Sequence, residues 1–313
     1  MKFSLPAHHA LADAQGLRAV RYRVGVDGGG TGTRLKLADL DGRVLGTAEA
    51  GPSALGQGVD QAWRHISQAL AQAAELAGLP GLRLSDCALA AGLSGANVQA
   101  DAEAFIARQP GFALVLLEND GYTTVLGAHG GEPGLVVAAG TGTVGEVLRR
   151  DGSRAIASGW GWVCGDEGSG AWLGLRAMAH AQQAQDGRAV AGALAHKVWA
   201  VAGRDRETIL AWCAAAGQHG YASLARLVFE AAEAGDTAAH ALIQGAVQAL
   251  EVLALSLDPR SELPLALAGS IALRLAPHFS GNIRGRCVES KGDSADGALL
   301  LVGSALQDLT GSR

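Results

Sequence analysis

Val26-Asp27-Gly28-Gly29-Gly30-Thr31-Gly32-Thr33 is a glycine-rich stretch set between two strand-like runs. Arg21 to Val26 reads as the strand before it. Arg34-Leu35-Lys36-Leu37-Ala38-Asp39-Leu40 follows and alternates polar with apolar residues, the period of a half-buried strand. Asp41-Gly42 is then a hairpin turn signal, and Arg43 to Ala48 returns as a third strand. Clustered glycines let main-chain N–H groups come close to phosphate oxygens, and Thr hydroxyls add donors. A Rossmann or P-loop glycine stretch opens a helix, and a P-loop carries Gly-Lys-Ser/Thr. This one opens a strand and lacks the lysine, which leaves a phosphate loop in a β-hairpin turn. Asp27, at the strand end, is placed to hold Mg2+ through water, because a hard cation takes carboxylate and phosphate oxygens. A bond to its own loop is the structural alternative.

The pattern recurs. Leu135-Val136-Val137-Ala138-Ala139 is an apolar strand, followed by Gly140-Thr141-Gly142-Thr143, a run from Val144 to Arg150, and Asp151-Gly152. The Thr-Gly-Thr triplets stand 110 residues apart (31 to 141), and so do the Asp-Gly turns (41 to 151). Two features in one register point to internal duplication, even in a chain with 45 glycines. They predict two similar lobes with a ligand cleft between them. Further strands are expected at Cys87 to Leu93, Ala113 to Leu117 and Leu263 to Ala268. Helices are expected at Asp60 to Gly78, Thr123 to Ala128 and Asp296 to Leu309. The region after Gly168 reads as mostly helical, with candidates at Ala171 to Gln183, Val190 to Ala202, Glu207 to Ala216, Tyr221 to Ala234 and Thr237 to Leu257.

The chain has 313 residues, 49% hydrophobic and 18% charged, enough for two domains with real cores. With a net charge of −5 and its Lys and Arg scattered, it offers no basic nucleic-acid face. Cys87, Cys164, Cys213 and Cys287 are far apart and form no zinc-binding spacing, so they read as isolated thiols in a reducing compartment. No apolar run is expected to reach membrane-spanning length, and the leader before Arg21 lacks a signal-peptide core. The leader reads as a short, poorly ordered or accessory extension.

Three further segments carry candidate chemistry. In Glu118-Asn119-Asp120-Gly121, Asp120 lies between a strand and a helix, where a general base belongs in an open α/β fold and where an N-cap belongs too. Gly159-Trp160-Gly161-Trp162-Val163-Cys164-Gly165-Asp166-Glu167-Gly168 sets aromatic faces beside carboxylates, as a sugar site does; Asp166 or Glu167 could instead cap the next helix. In Leu267-Ala268-Gly269-Ser270, a small turn at a strand end would admit a flat adenine ring, or simply start a helix.

Taken together, these residues resemble the sugar kinase, actin and Hsp70 superfamily, and within it the N-acetylglucosamine kinase and BadF/BadG/BcrA/BcrD ATPase family. The resemblance runs from Val24 to about Ala305 and is closest to bacterial glucosamine kinases. It is carried by Val26 to Thr31, Asn119-Asp120, Ala139 to Thr143, Gly168-Ser169-Gly170-Ala171, Gly174-Leu175-Arg176, Gly269-Ser270-Ile271-Ala272 and Ser294 to Leu299 in that order. It implies an α/β fold of two ribonuclease H-like, actin-like ATPase lobes. An extension over 1–20 and a first lobe over 21–126 would precede a second lobe over 127–313, with helical insertions and a last helix returning to the first lobe. It implies ATP and Mg2+ as cofactors, an amino sugar as the small-molecule substrate, and a cytoplasmic enzyme, expected to be a homodimer without nucleic-acid or membrane partners. Gly28, Gly29, Gly30, Thr31, Gly140, Thr141, Gly142 and Thr143 would bind the ATP phosphates. Gly269 and Ser270 would bind adenosine, and Asp27 the metal. Asp120 would activate the sugar 6-hydroxyl. Thr141, Gly142, Trp160, Gly161 and Asp166 would join it around the sugar. Where family members often carry a sugar-contacting Asn, this chain has Gly51-Pro52-Ser53-Ala54-Leu55-Gly56, and Asn97 is the substitute candidate. The alternative is an activator-type ATPase of the same family, which drives electron transfer in a partner and needs closely placed cysteines for a shared iron–sulfur cluster.

Overall fold

The computed structural model describes residues 6–311. Contacts divide the chain into two α/β units. The first holds the chain up to Gly134 together with Leu148–Ser153 and Glu289–Arg313, and the second holds Leu135–Val147 and Arg154–Val288. The first boundary lies beyond the expected one at 126, because a helix runs on to His129.

The first unit begins with β1 (His8–Leu11), α1 (Ala14–Arg18), β2 (Tyr22–Gly28), β3 (Thr33–Asp39) and β4 (Val44–Ala50). It continues with α2 (Val59–Leu76), β5 (Cys87–Leu93), α3 (Gln99–Ala107), β6 (Leu114–Glu118) and α4 (Asp120–His129). The second contains β7 (Gly134–Ala139), β8 (Thr143–Leu148), β9 (Arg154–Ser158), α5 (Gly170–Gln185), α6 (Ala193–Ala202) and α7 (Arg206–Ala215). After these come α8 (Gly217–Ser223), α9 (Ala225–Glu233), α10 (Thr237–Leu257), β10 (Leu265–Ala268), α11 (Ser270–Leu275), α12 (Gly281–Arg284) and β11 (Cys287–Val288). The last helix, α13 (Ser294–Thr310), packs on α4, β2 and β5 of the first unit.

The first sheet has the order β1-β6-β5-β2-β3-β4 and the second β11-β10-β7-β8-β9. Leaving out β1, both read third-second-first-fourth-fifth, the ribonuclease H-like order. β5 lies parallel to β2 and β6 to β5; β10 lies parallel to β7 and β11 to β10. The internal duplication is therefore structural: β3 and β8 start at Thr33 and Thr143, β4 and β9 at Val44 and Arg154, each pair 110 residues apart.

The sequence explains the layers. All seven residues of β5 are buried, as in a parallel strand covered on both faces. Val24 and Val26 of β2 face a core shared with Ile66, Leu70 and Ala73 of α2, while the intervening Gly25 lies against Ala295 and Leu299 of α13. Trp63 of α2 stacks on Phe105 at 4.1 Å and donates its indole N–H to the Phe105 carbonyl at 2.9 Å.

Two expectations need correction. The described part of the leader is built into the sheet: β1 pairs antiparallel with β6, from His8 opposite Leu117 to Leu11 opposite Leu114, and Leu17 of α1 is buried; residues 1–5 of the leader lie outside the described residues. Main-chain pairing holds it, which leaves little hydrophobic pattern to read. Thr237–Leu257 is, by length and composition, apolar enough to cross a membrane, contrary to the expectation that no run would be. In the structure its Ile243, Ala246, Leu250, Ala254 and Leu257 are buried in the core of the second unit.

Candidate active site

In the first unit, the glycine loop is the turn that joins β2 to β3. The Gly29 N–H donates to the Gly32 carbonyl at 3.0 Å. Ser53 and Ala54 donate their N–H groups to the Gly29 carbonyl, both at 3.1 Å, and the Gln57 amide donates to Gly30 O at 3.1 Å. Thr33 Oγ1 lies 2.7 Å from Ser53 Oγ and 2.6 Å from the Gly51 carbonyl. Ser53, in the Gly51 to Gly56 stretch, is fully buried, so its side chain is used inside the fold. The glycines differ in kind. A Cβ on Gly28 would collide with Ser53 Oγ and Leu93, whereas one on Gly29 would meet nothing within 4 Å. Gly28 is a packing glycine beneath the loop; Gly29, Gly30 and the exposed Thr31 form its open side. Asn97 is exposed in the turn after β5.

Asp27, half-buried at the end of β2, has its carboxyl raised above the usual carboxylate range, chiefly by burial. A hydrogen bond with Ser294 opposes this, and the negative charges of Asp120 and Asp293 add to it. Asp120 is the first residue of α4, yet it is not the cap. Asn119 is: its side chain accepts the Tyr122 N–H at 2.7 Å. Asp120 keeps only local main-chain bonds, from its own N–H and from the Gly121 N–H at 3.1 Å, and burial raises its carboxyl as well.

The second unit repeats the loop. The Gly140 N–H donates to the Gly142 carbonyl at 2.9 Å. The start of α5, capped by Ser169, donates back into the loop: Gly170 N–H to Gly140 O at 2.8 Å and Ala171 N–H to Thr141 O at 3.2 Å. Gly269 caps the strand β10 beside it. Its φ of +83° and a virtual Cβ against the Ala139 carbonyl both require glycine. Gly269 and Ser270 are exposed there.

Asp166 is 4% exposed and sits at φ +56°, a left-handed backbone that non-glycine residues seldom adopt. Its carboxyl is raised by burial, against hydrogen bonds from the Thr143 and Gly161 N–H groups. Its Oδ2 lies against Gly142, and the Gln218 amide approaches it at 3.5 Å. Asp166 therefore ties the second glycine loop to the tryptophan loop. Of the two aromatics there, Trp162 packs on Tyr221 at 5.6 Å, while Trp160 is 83% exposed.

Sequence reasoning missed several residues around these groups. Lys36 on β3 is held between Asp293, at 3.0 Å, and Asp296, at 2.8 Å, which pins the start of α13 beside Asp27. Ser294 was legible as part of a motif but carried no role. Gln218 had no signal at all, since it reaches Asp166 from 52 residues away. Among the described residues no group of three or more His, Cys, Asp or Glu side chains is disposed to hold a metal ion by itself.

The chain from 24 to 302 matches the family model of the BadF/BadG/BcrA/BcrD ATPase family. A glucosamine kinase from Vibrio cholerae serotype O1 is 31% identical over 290 residues, covering 93% of this chain and 98% of its own. An N-acetylmuramic acid/N-acetylglucosamine kinase from Clostridium acetobutylicum is 31% identical over 173 residues, 54% of this chain and 56% of its own. A solved structure from Chromobacterium violaceum, described as a candidate N-acetylglucosamine kinase, is 46% identical, with a TM-score of 0.84 over 91% of this chain and 99% of that one.

Proposed function

The chain belongs to the BadF/BadG/BcrA/BcrD ATPase family, and we propose that it transfers the γ-phosphoryl group of ATP to the 6-hydroxyl of an amino sugar, glucosamine or N-acetylglucosamine. The observation that carries this reading is Asp120. Its carboxylate lies half-buried at the mouth of α4 and is released from capping because Asn119 does that work. Burial that raises its carboxyl makes it a stronger base, suited to accept the proton of an attacking hydroxyl. The kinase relatives, one of which spans almost the whole chain, support the substrate class.

The other groups take the remaining roles. The open side of the first loop, Gly29 to Thr31, with Gly28 beneath it, and the Gly140 to Thr143 loop bind the ATP phosphates through main-chain N–H groups. Gly269 and Ser270 receive adenosine. Asp166, Thr141, Gly142, Trp160, Gly161 and Asn97 serve the sugar, Asp166 in part by fixing the shape of the loops around it. Asp27 fits Mg2+. It is a half-buried carboxylate facing other negative groups, and a cation held by one carboxylate through water and otherwise by phosphate needs no cluster of protein ligands. When bound, Mg2+ would neutralise charge developing on the phosphates. The reading makes the protein a cytoplasmic homodimer.

ADP release should be stimulated by one or more of glucosamine, N-acetylglucosamine, N-acetylmuramic acid, glucose and N-acetylmannosamine, the first two most strongly. ATP hydrolysis indifferent to all five would refute the reading and favour the activator-type ATPase.

A further inference from the structure

Helices α4 and α13 touch backbone to backbone. A Cβ on Gly297 would run into the carbonyl oxygen of Thr123, and one on Gly127 into that of Asp293. This approach sets the hydroxyls of Ser294 and Thr123 2.7 Å apart, both buried. Ser294 is also the neighbour whose hydrogen bonding opposes the rise of the Asp27 carboxyl. Thr123 Oγ1 lies 3.1 Å from the Asp120 carbonyl and 3.4 Å from that of Asn119. The first strand, the helix that carries Asp120 and the last helix thus meet at two hydroxyl groups.

Each hydroxyl has one proton to donate, and a carboxylate can only accept. With Asp27 as a carboxylate, the Ser294 proton points to Asp27 and the Thr123 proton points to Ser294 Oγ. The Asp120 carbonyl then receives nothing from Thr123, but it does not go without: Thr124 Oγ1 donates to it at 2.6 Å. With Asp27 ionised, the protons run in this direction.

We propose that Ser294 and Thr123 are positioning residues, a one-way chain of hydroxyls that holds the Asp27 carboxylate in register with the helix bearing Asp120. Neither hydroxyl touches substrate in this scheme. Their effect is exerted through Asp27, hence on how Mg2+ strengthens nucleotide binding. The proposal rests on the metal role given above to Asp27, and its turnover arm also on the kinase reading.

The test uses Thr123→Val, which keeps the shape and loses the hydroxyl, Thr123→Ser, which keeps the hydroxyl, Ser294→Ala, and the double variant Ser294→Ala/Thr123→Val. ADP affinity is measured by calorimetry in EDTA and in saturating MgCl2, and the ratio is the magnesium gain. Thr123→Ser should retain the wild-type gain. Thr123→Val and Ser294→Ala should each lower it about tenfold, the scale of a lost hydrogen bond to a charged group, with affinity in EDTA unchanged. The double variant should be no worse than Ser294→Ala, because one break interrupts the chain. Losses that add, or a Thr123→Val protein with the wild-type gain, would overturn the proposal. With glucosamine as substrate, Thr123→Val and Ser294→Ala should lose kcat and keep the sugar KM, while Thr123→Ser should keep both. Wild-type protein without sugar-stimulated turnover would overturn the kinase reading and leave the calorimetric result standing.

Discussion

If Asp120 is the proposed base, its substitution by Asn should separate chemistry from folding. Asn119 keeps its cap on Tyr122, so α4 starts as before. The Gly121 N–H, 3.1 Å from Asp120 Oδ1, still finds an oxygen to donate to. Burial holds the Asp120 carboxyl above its unfolded value, so the native state binds more protons than the unfolded chain and stability falls as pH rises through that range. At pH 7 the ionised side chain is therefore a destabilising group, and Asn removes that cost; below the unfolded value the advantage disappears. Melting temperature at pH 7 should hold or rise. Turnover should fall by roughly 10²- to 10⁴-fold, the contribution of a general base, which corresponds to about 3–5 kcal/mol of barrier at 1.36 kcal/mol per decade. Coupled ADP release at saturating sugar and ATP gives the rate, and calorimetry with ADP gives nucleotide affinity, expected to be close to wild type. A variant within tenfold of wild-type turnover would refute the base assignment. A variant that melts much earlier would refute the argument that Asp120 is free of structural duty.

Three other outcomes follow from the same geometry. Gly28→Ala should destabilise the protein, because its Cβ meets Ser53 and Leu93, whereas Gly29→Ala should melt normally and bind ATP more weakly; thermal melts and ADP titrations distinguish them, and equal melting of the two would contradict the division of roles. Trp160→Phe should leave stability unchanged, since the indole is exposed, and should abolish most of the fluorescence change on adding glucosamine; an unchanged sugar signal would remove Trp160 from the site. Cys164 is the exposed cysteine in the tryptophan loop, while Cys87 is buried with its thiol pushed up to about 12. Alkylation by N-ethylmaleimide should mark Cys164 first and slow when sugar is bound, as read by mass spectrometry; labelling indifferent to sugar would place that loop away from the substrate.

Much of this fold could be read from the chain because local patterns and global topology agree. The alternation from Arg34 to Leu40, the apolar run at Cys87 to Leu93 and the turns at Asp41-Gly42 and Asp151-Gly152 each specify one element. The offset of 110 shared by the Thr-Gly-Thr triplets and these turns then reveals that the elements come as two sets. What escaped was structure without a side-chain pattern. β1 is held by main-chain pairing with β6, and α3 is an alanine-rich helix with little apolar stripe. The single helix expected over Tyr221 to Ala234 is two, α8 from Gly217 and α9 from Ala225, joined through Leu224. The candidate site divided in the same way. Asp27, Asp120 and the loops announce themselves by glycine and carboxylate spacing. The choice of Asn119 over Asp120 as cap is a matter of one residue's backbone conformation. The meeting of Ser294 with Thr123 joins residues 171 apart, which only the crossing of α4 and α13 brings about.

The central claim is that a phosphoryl group moves from ATP to the 6-oxygen of an amino sugar. It is tested most directly by incubating the protein with ATP, MgCl2 and glucosamine, and separately N-acetylglucosamine, and recording proton-coupled phosphorus NMR of the product. The account predicts a new phosphate ester whose phosphorus couples to the two protons on C6, formed in step with ADP. Phosphate on the anomeric oxygen, or ADP and inorganic phosphate with no sugar ester, would contradict it.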